Sequence, residues 1–162
     1  MIFIECNPDK YLVRQLVRGK QQRKKIEHGG GKSGVLDLLE EKKGRIVGVV
    51  DEDPNRTKHP PKKRKEYIRK DSKDSIKLLR KRDDSSKSLI ELSPDLEGWL
   101  INRAKENGIN LEDYGLPDDR KKMHDIPRIE RDPEFRKFIK RLIRTSDDEV
   151  NALRTWIREA IE

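Results

Sequence analysis

Short apolar runs alternate with amphipathic segments through the first hundred residues of the chain. Residues 2–5, 24–27 and 45–50 have the length and the apolar content of buried strands. The first two runs are each followed by a turn and by apolar residues at helical spacing, such as Leu12 and Leu16. Strands that alternate with helices predict an α/β fold, with a mostly parallel sheet flanked by helices on both faces.

Turn and cap residues indicate where the helices of this region begin. Asn7 has the character of an N-cap, and the following Pro-Asp pair places a proline and an acid in the first turn. Residues 93–95 repeat this pattern before a helix that contains Trp99. Both segments therefore predict the sequence strand, tight turn, helix.

The middle of the chain is richer in proline and in charge. Residues 55–74 predict a mobile loop, and residues 75–80 and 89–92 predict two further short strands joined by a turn at 83–86. The loop contains a basic run, which consists of Lys62, Lys63, Arg64 and Lys65.

The last third of the chain is predicted to be helical. One helix begins at Asp132-Pro133 and has Phe135 and Phe138 on one face, and residues 146–149 form a capping box that begins another. We expect an α/β domain at residues 1–107, with a basic loop at 56–87, and a C-terminal helical extension at 108–162 packed on it.

The positive charge of the chain is concentrated in one segment. The chain carries a net charge of +8, and residues 56–87 contain 14 Lys and Arg but only 5 Asp and Glu. This segment alone has a charge of +9, which leaves −1 for the rest. Such a distribution favours a patch that binds a polyanion such as nucleic acid. A solvated charged loop, or the Lys, Arg and Glu enrichment of a heat-adapted protein, would give a similar composition.

Several classes of protein are excluded by what the sequence contains. Cys6 is the single cysteine, so an internal disulfide is impossible, and the three histidines show no zinc-ligand spacing. No apolar run approaches the ~20 residues that span a bilayer, and the N-terminus has no signal-peptide pattern. We expect a cytoplasmic protein with no membrane partner.

Three acids follow directly after predicted strands. Glu5 ends the first run, and Asp51 and Asp53 follow the third. Because ligands bind at the carboxyl ends of parallel strands, we expect these side chains to face one site. Carboxylate oxygens without nearby histidine or cysteine suit Mg²⁺ or Mn²⁺, although solvated strand ends would show the same residues.

These residues also resemble a known family. Residues 2–9 resemble the first TOPRIM motif, a strand followed by Glu-Gly-x-x-Asp, and residues 46–53 resemble the second, an apolar strand followed by Asp-x-Asp. The glycine turn at 29–31 resembles the middle of that domain, so the resemblance covers about residues 1–100. Two positions depart from the pattern: Cys6 replaces a glycine, and Pro54-Asn55 follows the second motif where a glycine is common.

The resemblance implies a fold, a cofactor and a set of roles. TOPRIM domains occur in topoisomerases, primases, ribosomal-RNA maturation nucleases and OLD-family nucleases, and small stand-alone forms exist. By resemblance, Glu5 would be a general acid or base, and Asp51 and Asp53 would bind Mg²⁺ or Mn²⁺. The segment around Glu97 is similar to one found in small stand-alone TOPRIM-like proteins, so Glu97 is either a further metal ligand or a surface acid near a helix start.

Four other side chains have weaker functional patterns. Lys32 follows three glycines, but Ile26 stands where a P-loop needs glycine, so at most Lys32 assists phosphate binding at a helix N-terminus. Tyr67 could stack on a base. We expect His28 and His124 to be packing or capping residues.

Size and motifs together favour one function. A topoisomerase or a primase needs additional domains for which the chain has no room. A metal-dependent nuclease that cuts DNA or RNA is the leading hypothesis, with Lys32 and the basic run at 62–65 binding the nucleic acid. The alternative is a non-catalytic TOPRIM-like module that binds nucleic acid or a protein partner, such as a separately encoded ATPase.

Overall fold

The computed structural model describes residues 1–53 and 61–162. Within them, seven α-helices and six strands form an α/β fold. In chain order they are β1 (Ile2–Ile4), α1 (Asn7–Leu16), α2 (Lys20–Arg23), β2 (Ile26–His28), α3 (Gly31–Glu41), β3 (Ile46–Asp51), β4 (Tyr67–Lys73), β5 (Ile76–Lys81), β6 (Lys87–Leu92), α4 (Leu96–Glu106), α5 (Arg120–His124), α6 (Pro133–Arg144) and α7 (Asp148–Ile161).

The strands form one mixed sheet in the order β2-β1-β3-β6-β5-β4. Strands β2, β1, β3 and β6 are mutually parallel, whereas β5 pairs antiparallel with both β6 and β4. The α/β class is therefore confirmed, but the sheet is mixed rather than mostly parallel. The reason is local: β5 and β6 are joined by a short turn, and a short turn can join only antiparallel neighbours.

Alternating residues of β3 supply two separate cores. Val47 and Val49 face the larger core, which contains apolar residues of α1, α4, α6 and α7. Ile46 and Val50 face the smaller core, which is covered by α3. Helix α3 lies so close to the sheet that a Cβ on Gly48 would stand 2.6 Å from a methyl group of Val35. The sheet is thus covered on both faces, as the continuous apolar character of β3 predicts.

The prediction of a loop at residues 55–74 is wrong for residues 62–73. Residues 54–60 lie outside the described part of the chain, but residues 62–66 form a short 3₁₀ helix and Tyr67–Lys73 form strand β4. Only Tyr67 of this strand is buried, and a bulge interrupts its pairing with β5 between Arg69 and Asp71. An edge strand with one buried side chain has no alternating pattern, so the sequence does not reveal it.

Two helix caps also differ from the predicted ones. Helix α1 is capped by Cys6 rather than Asn7, because the Cys6 amide donates to Asp9 Oδ2 at 3.1 Å. Helix α7 is capped by Asp147, which accepts a hydrogen bond of 3.0 Å from the amide of Val150. Glu149 is therefore not part of a capping box and turns into the core.

A buried charge network joins the C-terminal helices to the sheet. Arg103 of α4 lies 2.9 Å from Asp147 and 2.5 Å from Glu149, whose side chain is fully buried. Glu149 also accepts the amide of Ser75, which precedes β5, at 2.9 Å. These contacts fix α7 against α4 and the sheet. No helix in the described residues is long and apolar enough to cross a bilayer.

Candidate functional site

Glu5 and Asp51 lie side by side at the carboxyl edge of the sheet. Glu5 follows β1 directly, Asp51 is the last residue of β3, and these two strands are parallel neighbours. The amide of Asp51 donates a hydrogen bond of 2.6 Å to Glu5 Oε2. The sheet order thus brings together the two acids that the sequence assigns to different motifs.

Asp51 and Asp53 are held by the segment that leads from β6 to α4. Asp51 Oδ1 accepts the amide of Leu96, the first residue of α4, at 2.8 Å. The amide of Asp53 donates to the carbonyl of Pro94 at 2.8 Å, and Asp53 adopts a left-handed backbone with φ of +48°. A non-glycine residue in that region is uncommon and is held there by its surroundings.

Asp9 and Glu97 complete a group of five acids. Asp9 is only 2% exposed and accepts hydrogen bonds from both the amide and the thiol of Cys6, at 3.1 and 2.9 Å. Glu97 is 8% exposed, so it is not the surface acid that the sequence allows as an alternative. We call Glu5, Asp9, Asp51, Asp53 and Glu97 the carboxylate cluster.

Burial and mutual repulsion shift the acidity of this cluster. Burial raises the pKa of Asp51 to about 9, and the charges of the other four acids add to the rise. Burial also raises the pKa of Asp9, to about 7; hydrogen bonds from Cys6 oppose the rise, whereas the charges of Glu5 and Glu97 add to it. Like charges in a partly buried site favour protonation, and a cation among them would reverse that preference.

The donor atoms of the cluster suit a hard divalent cation. All five side chains offer carboxylate oxygens, which Mg²⁺ and Mn²⁺ prefer over nitrogen or sulfur. In residues 1–53 and 61–162, however, no three His, Cys, Asp or Glu side chains are arranged as ligands of one metal ion. The chemistry of the donors fits such a metal ion.

Two histidines line a cleft beside Glu97. His124 Nδ1 lies 3.2 Å from Glu97 Oε1, and both residues border a cleft of about 360 Å³ together with Cys6 and His28. His28 Nδ1 accepts the amide of Gly30 at 3.2 Å, so this residue stabilises the glycine turn. The contact of His28 with Gly30 agrees with the expected capping role, whereas His124 is exposed and contacts Glu97, a position that the sequence does not predict.

Part of the basic run is neutralised by acids of the protein itself. Arg64 donates two hydrogen bonds, of 2.8 and 2.9 Å, to the two carboxylate oxygens of Glu91, and Lys32 donates one of 2.8 Å to the same group. Burial raises the pKa of Glu91, which is only 2% exposed, but the hydrogen bonds from Arg64 and Lys32 outweigh burial and lower it overall. Glu91 is therefore an internal counter-ion for Arg64 and Lys32.

The remaining basic residues divide into paired and unpaired ones. Lys63 contacts Asp37 at 2.7 Å and also Glu40, both on α3. Lys62 and Lys65 are exposed, and neither forms an ion pair within the described chain. The sequence suggested one continuous patch of four cations, whereas the structure leaves two of them unpaired.

Two further side chains lie where the sequence did not place them. Lys32 also donates to the carbonyl of Glu52 at 3.2 Å, so it fastens the start of α3 to the end of β3. Tyr67 is only 5% exposed and packs in the core under α3, so its ring is not available for stacking on a base.

Sequence reasoning missed Asp9 and Glu91 as parts of this region. Asp9 lies in the first motif, but its position also fits an acid in the first turn of a helix, and Glu91 lies inside an apolar strand with no motif around it. An acid in an otherwise apolar strand is a usable signal, because such a group is buried only with a partner.

Comparisons of the chain with protein-family models, curated proteins and solved structures gave no match.

Proposed function

We propose that this protein is a metal-dependent nuclease that cuts phosphodiester bonds of DNA or RNA at the carboxylate cluster. The observation that carries the proposal is the direct contact between Glu5 and Asp51 at the carboxyl edge of two parallel strands. Three more acids surround this contact. Such a close group of acids is uncommon unless the site binds a cation or transfers a proton.

A TOPRIM-like domain is the fold family that we propose for residues 1–107. Four parallel strands, β2, β1, β3 and β6, support this assignment, and both motifs end at the same edge of these strands. The antiparallel strands β5 and β4 are additions at the far edge. The C-terminal helices share the larger core with the sheet, so they belong to the same folded unit.

Four of the five acids have proposed roles. Bound Mg²⁺ or Mn²⁺, held by Asp51, Asp53 and Glu97, would neutralise phosphate oxygens and polarise the scissile phosphorus. Glu5 transfers a proton to or from the reacting oxygens, and the Asp51 amide fixes its orientation at the strand end. The Leu96 amide orients Asp51 in the same way, and His124 orients Glu97.

A second candidate function is supported by the same hydrogen bonds. Glu5 and Asp51 each accept a backbone amide, so both acids also tie the strand ends and α4 together. A non-catalytic module could retain them for that reason alone, and could bind nucleic acid or a protein partner such as an ATPase.

A cleavage assay on isosteric variants separates the two functions. Labelled single- and double-stranded DNA and RNA would be incubated with wild type, Glu5→Gln, Asp51→Asn and Asp53→Asn in Mg²⁺, in Mn²⁺ and in chelator. The control is Asp83→Asn, because Asp83 is an exposed acid in the turn between β5 and β6. The nuclease predicts metal-dependent cleavage by wild type and the control and at least a hundredfold loss in the three variants.

Each other result has a defined meaning. Cleavage that persists in all three variants would place the activity at another site or in a contaminant. A wild type that binds nucleic acid but cuts nothing with either metal would contradict the nuclease and favour the binding module. Folding of every variant would be checked by circular dichroism.

A further inference from the structure

A second basic surface lies in a cleft between α1 and the segment that precedes α6. The cleft has a volume of about 460 Å³. Five of its lining residues are cations and only one, Glu130, is an acid; the cations are Lys10, Arg14, Arg23, Arg131 and Arg136. We call this surface the arginine cleft. It lies outside the segment at 56–87 that carries the basic excess of the sequence.

The cations of the arginine cleft are not neutralised by the protein. None of the five forms an ion pair with a carboxylate in the described residues. Arg23 and Arg136 donate instead to backbone carbonyls, of Val17 at 3.3 Å and of Glu130 at 2.7 Å, which orients them without cancelling their charge. Arg64 and Lys63 of the basic run differ in this respect, because both are paired with acids.

The arginine cleft adjoins the cleft that borders the carboxylate cluster. Asn7 and Glu130 line both clefts, so the two depressions meet at the start of α1. The second cleft contains Glu97 and His124, and Cys6, next to Glu5, forms part of its wall. A chain bound along the arginine cleft can therefore continue to the cluster without leaving the surface.

The arginine cleft also offers an aromatic ring beside the cations. The guanidinium of Arg136 lies 5.1 Å from the centre of the Tyr11 ring, and Tyr11 packs against Phe135 with 6.4 Å between ring centres. Aromatic rings and guanidinium planes stack on unpaired bases, which single strands expose and duplexes conceal.

We infer that the arginine cleft binds a single strand of nucleic acid and leads it to the carboxylate cluster. The arginines contact backbone phosphates, and Tyr11 with Arg136 provides a place for one base. This inference rests on the proposed function for its substrate class, and it replaces the basic run as the main phosphate-binding surface.

Charge-reversal variants in a binding assay test this inference. Fluorescence anisotropy of a labelled single-stranded oligonucleotide would be measured in chelator for three double variants of equal charge change. These are Arg14→Glu with Arg131→Glu in the cleft, Lys62→Glu with Lys65→Glu in the basic run, and Lys105→Glu with Arg144→Glu as the control. All six side chains are exposed, so folding should be retained, and thermal unfolding would verify it.

The expected result is a loss of affinity of at least tenfold in the cleft variant and a smaller loss in the other two. The slope of log K against log salt should also decrease in the cleft variant, by ~0.7 for each phosphate of a single strand that the variant no longer neutralises. Equal losses in all three variants, or the largest loss in the Lys62 and Lys65 variant, would overturn the inference. A hairpin duplex that binds the wild type as tightly as the single strand would also overturn it.

The same samples separate this inference from the nuclease proposal. If binding depends on the arginine cleft but wild type cleaves nothing with either metal, the nuclease proposal is contradicted and the inference about the cleft is supported. If wild type cleaves and the cleft variant cleaves equally well at substrate concentrations below saturation, the inference about the arginine cleft is contradicted and the nuclease proposal is supported.

Discussion

The amide of Asp51 and the carboxylate of Glu5, 2.6 Å apart, join the ends of two parallel strands. Asp51 is held in turn by the amide of Leu96, so one chain of hydrogen bonds connects β1, β3 and α4. The acids proposed for chemistry thus have a structural role as well. Variants must therefore remove charge and keep the hydrogen-bond acceptor, as Asn and Gln do.

Asp51→Asn should stabilise the metal-free protein, and increasingly so as the pH rises. The fold raises the pKa of Asp51 from 3.8 to about 9, so this group stabilises the fold below the unfolded pKa and loses that contribution between about pH 4 and 9. Asparagine has no such loss and still accepts the Leu96 amide. We expect a gain of several kcal/mol at pH 9, seen as a higher Tm, and almost none at pH 4.

Thermal unfolding in chelator at pH 4, 6, 8 and 9 measures this difference. The comparison with wild type at each pH cancels the contributions of groups far from the carboxylate cluster, whereas Asp9, whose charge acts on Asp51, contributes to the difference. A difference that stays constant from pH 4 to 9 would mean that Asp51 does not titrate with a raised pKa.

Mg²⁺ or Mn²⁺ should stabilise wild type and release protons on binding. Occupancy at a hundred times the Kd gives about 2.7 kcal/mol. Protons are released because the cluster must ionise fully to hold the cation, and its raised pKa values leave protons bound at neutral pH. Calorimetry in two buffers of different ionisation enthalpy counts these protons. Asp51→Asn should lose the stabilisation, whereas Asp83→Asn should keep it.

Glu91→Gln should destabilise the protein by about 1–3 kcal/mol, because it removes the charge-assisted hydrogen bonds of Arg64 and Lys32. Urea unfolding measures the change. The matched control is Glu40→Gln, which weakens only the exposed contact with Lys63. Similar losses in both variants would show that burial of Glu91 does not make its ion pairs stronger than surface ones.

Arg103→Met should destabilise the protein by about 3–5 kcal/mol, because Asp147 and Glu149 would then be buried without their cation. Adding Glu149→Gln should recover part of the loss, since glutamine removes one buried charge and still accepts the amide of Ser75. Urea unfolding of Arg103→Met, of Glu149→Gln and of the double variant gives the coupling between the two positions. A double variant that loses as much as the sum of the single changes would exclude that coupling.

Gly34→Ala should destabilise the turn between β2 and α3. A Cβ on Gly34 would lie 1.9 Å from the carbonyl oxygen of Gly29, which is backbone and cannot move aside cheaply. We expect a loss of about 1–3 kcal/mol by thermal or urea unfolding. Ser33→Ala, at the exposed neighbouring position, is the control and should change the stability far less. Wild-type stability in Gly34→Ala would mean that the turn adopts another conformation.

The sequence by itself determined the strand ends and the acids that follow them. Continuous apolar runs predict buried strands because burial on both faces leaves no polar position, and the runs before Glu5 and Asp51 are of this kind. Parallel strands end at the same edge, so the meeting of these two acids follows once both strands are recognised. The amphipathic pattern of α6 and the start of α4 likewise depend only on local periodicity and turn chemistry.

Only the tertiary structure decided which distant groups meet. Strand β4 has one buried residue and is formed by its pairing with β5. Its own pattern of apolar and polar residues therefore does not predict a strand. Arg64 and Glu91 are paired because the sheet order brings the segment before β4 over β6, and Glu97 is buried because α5 places His124 against it. The periodicity of apolar residues in the sequence indicates whether a residue is buried. The identity of the residue that it contacts depends on how the strands and helices are arranged in space.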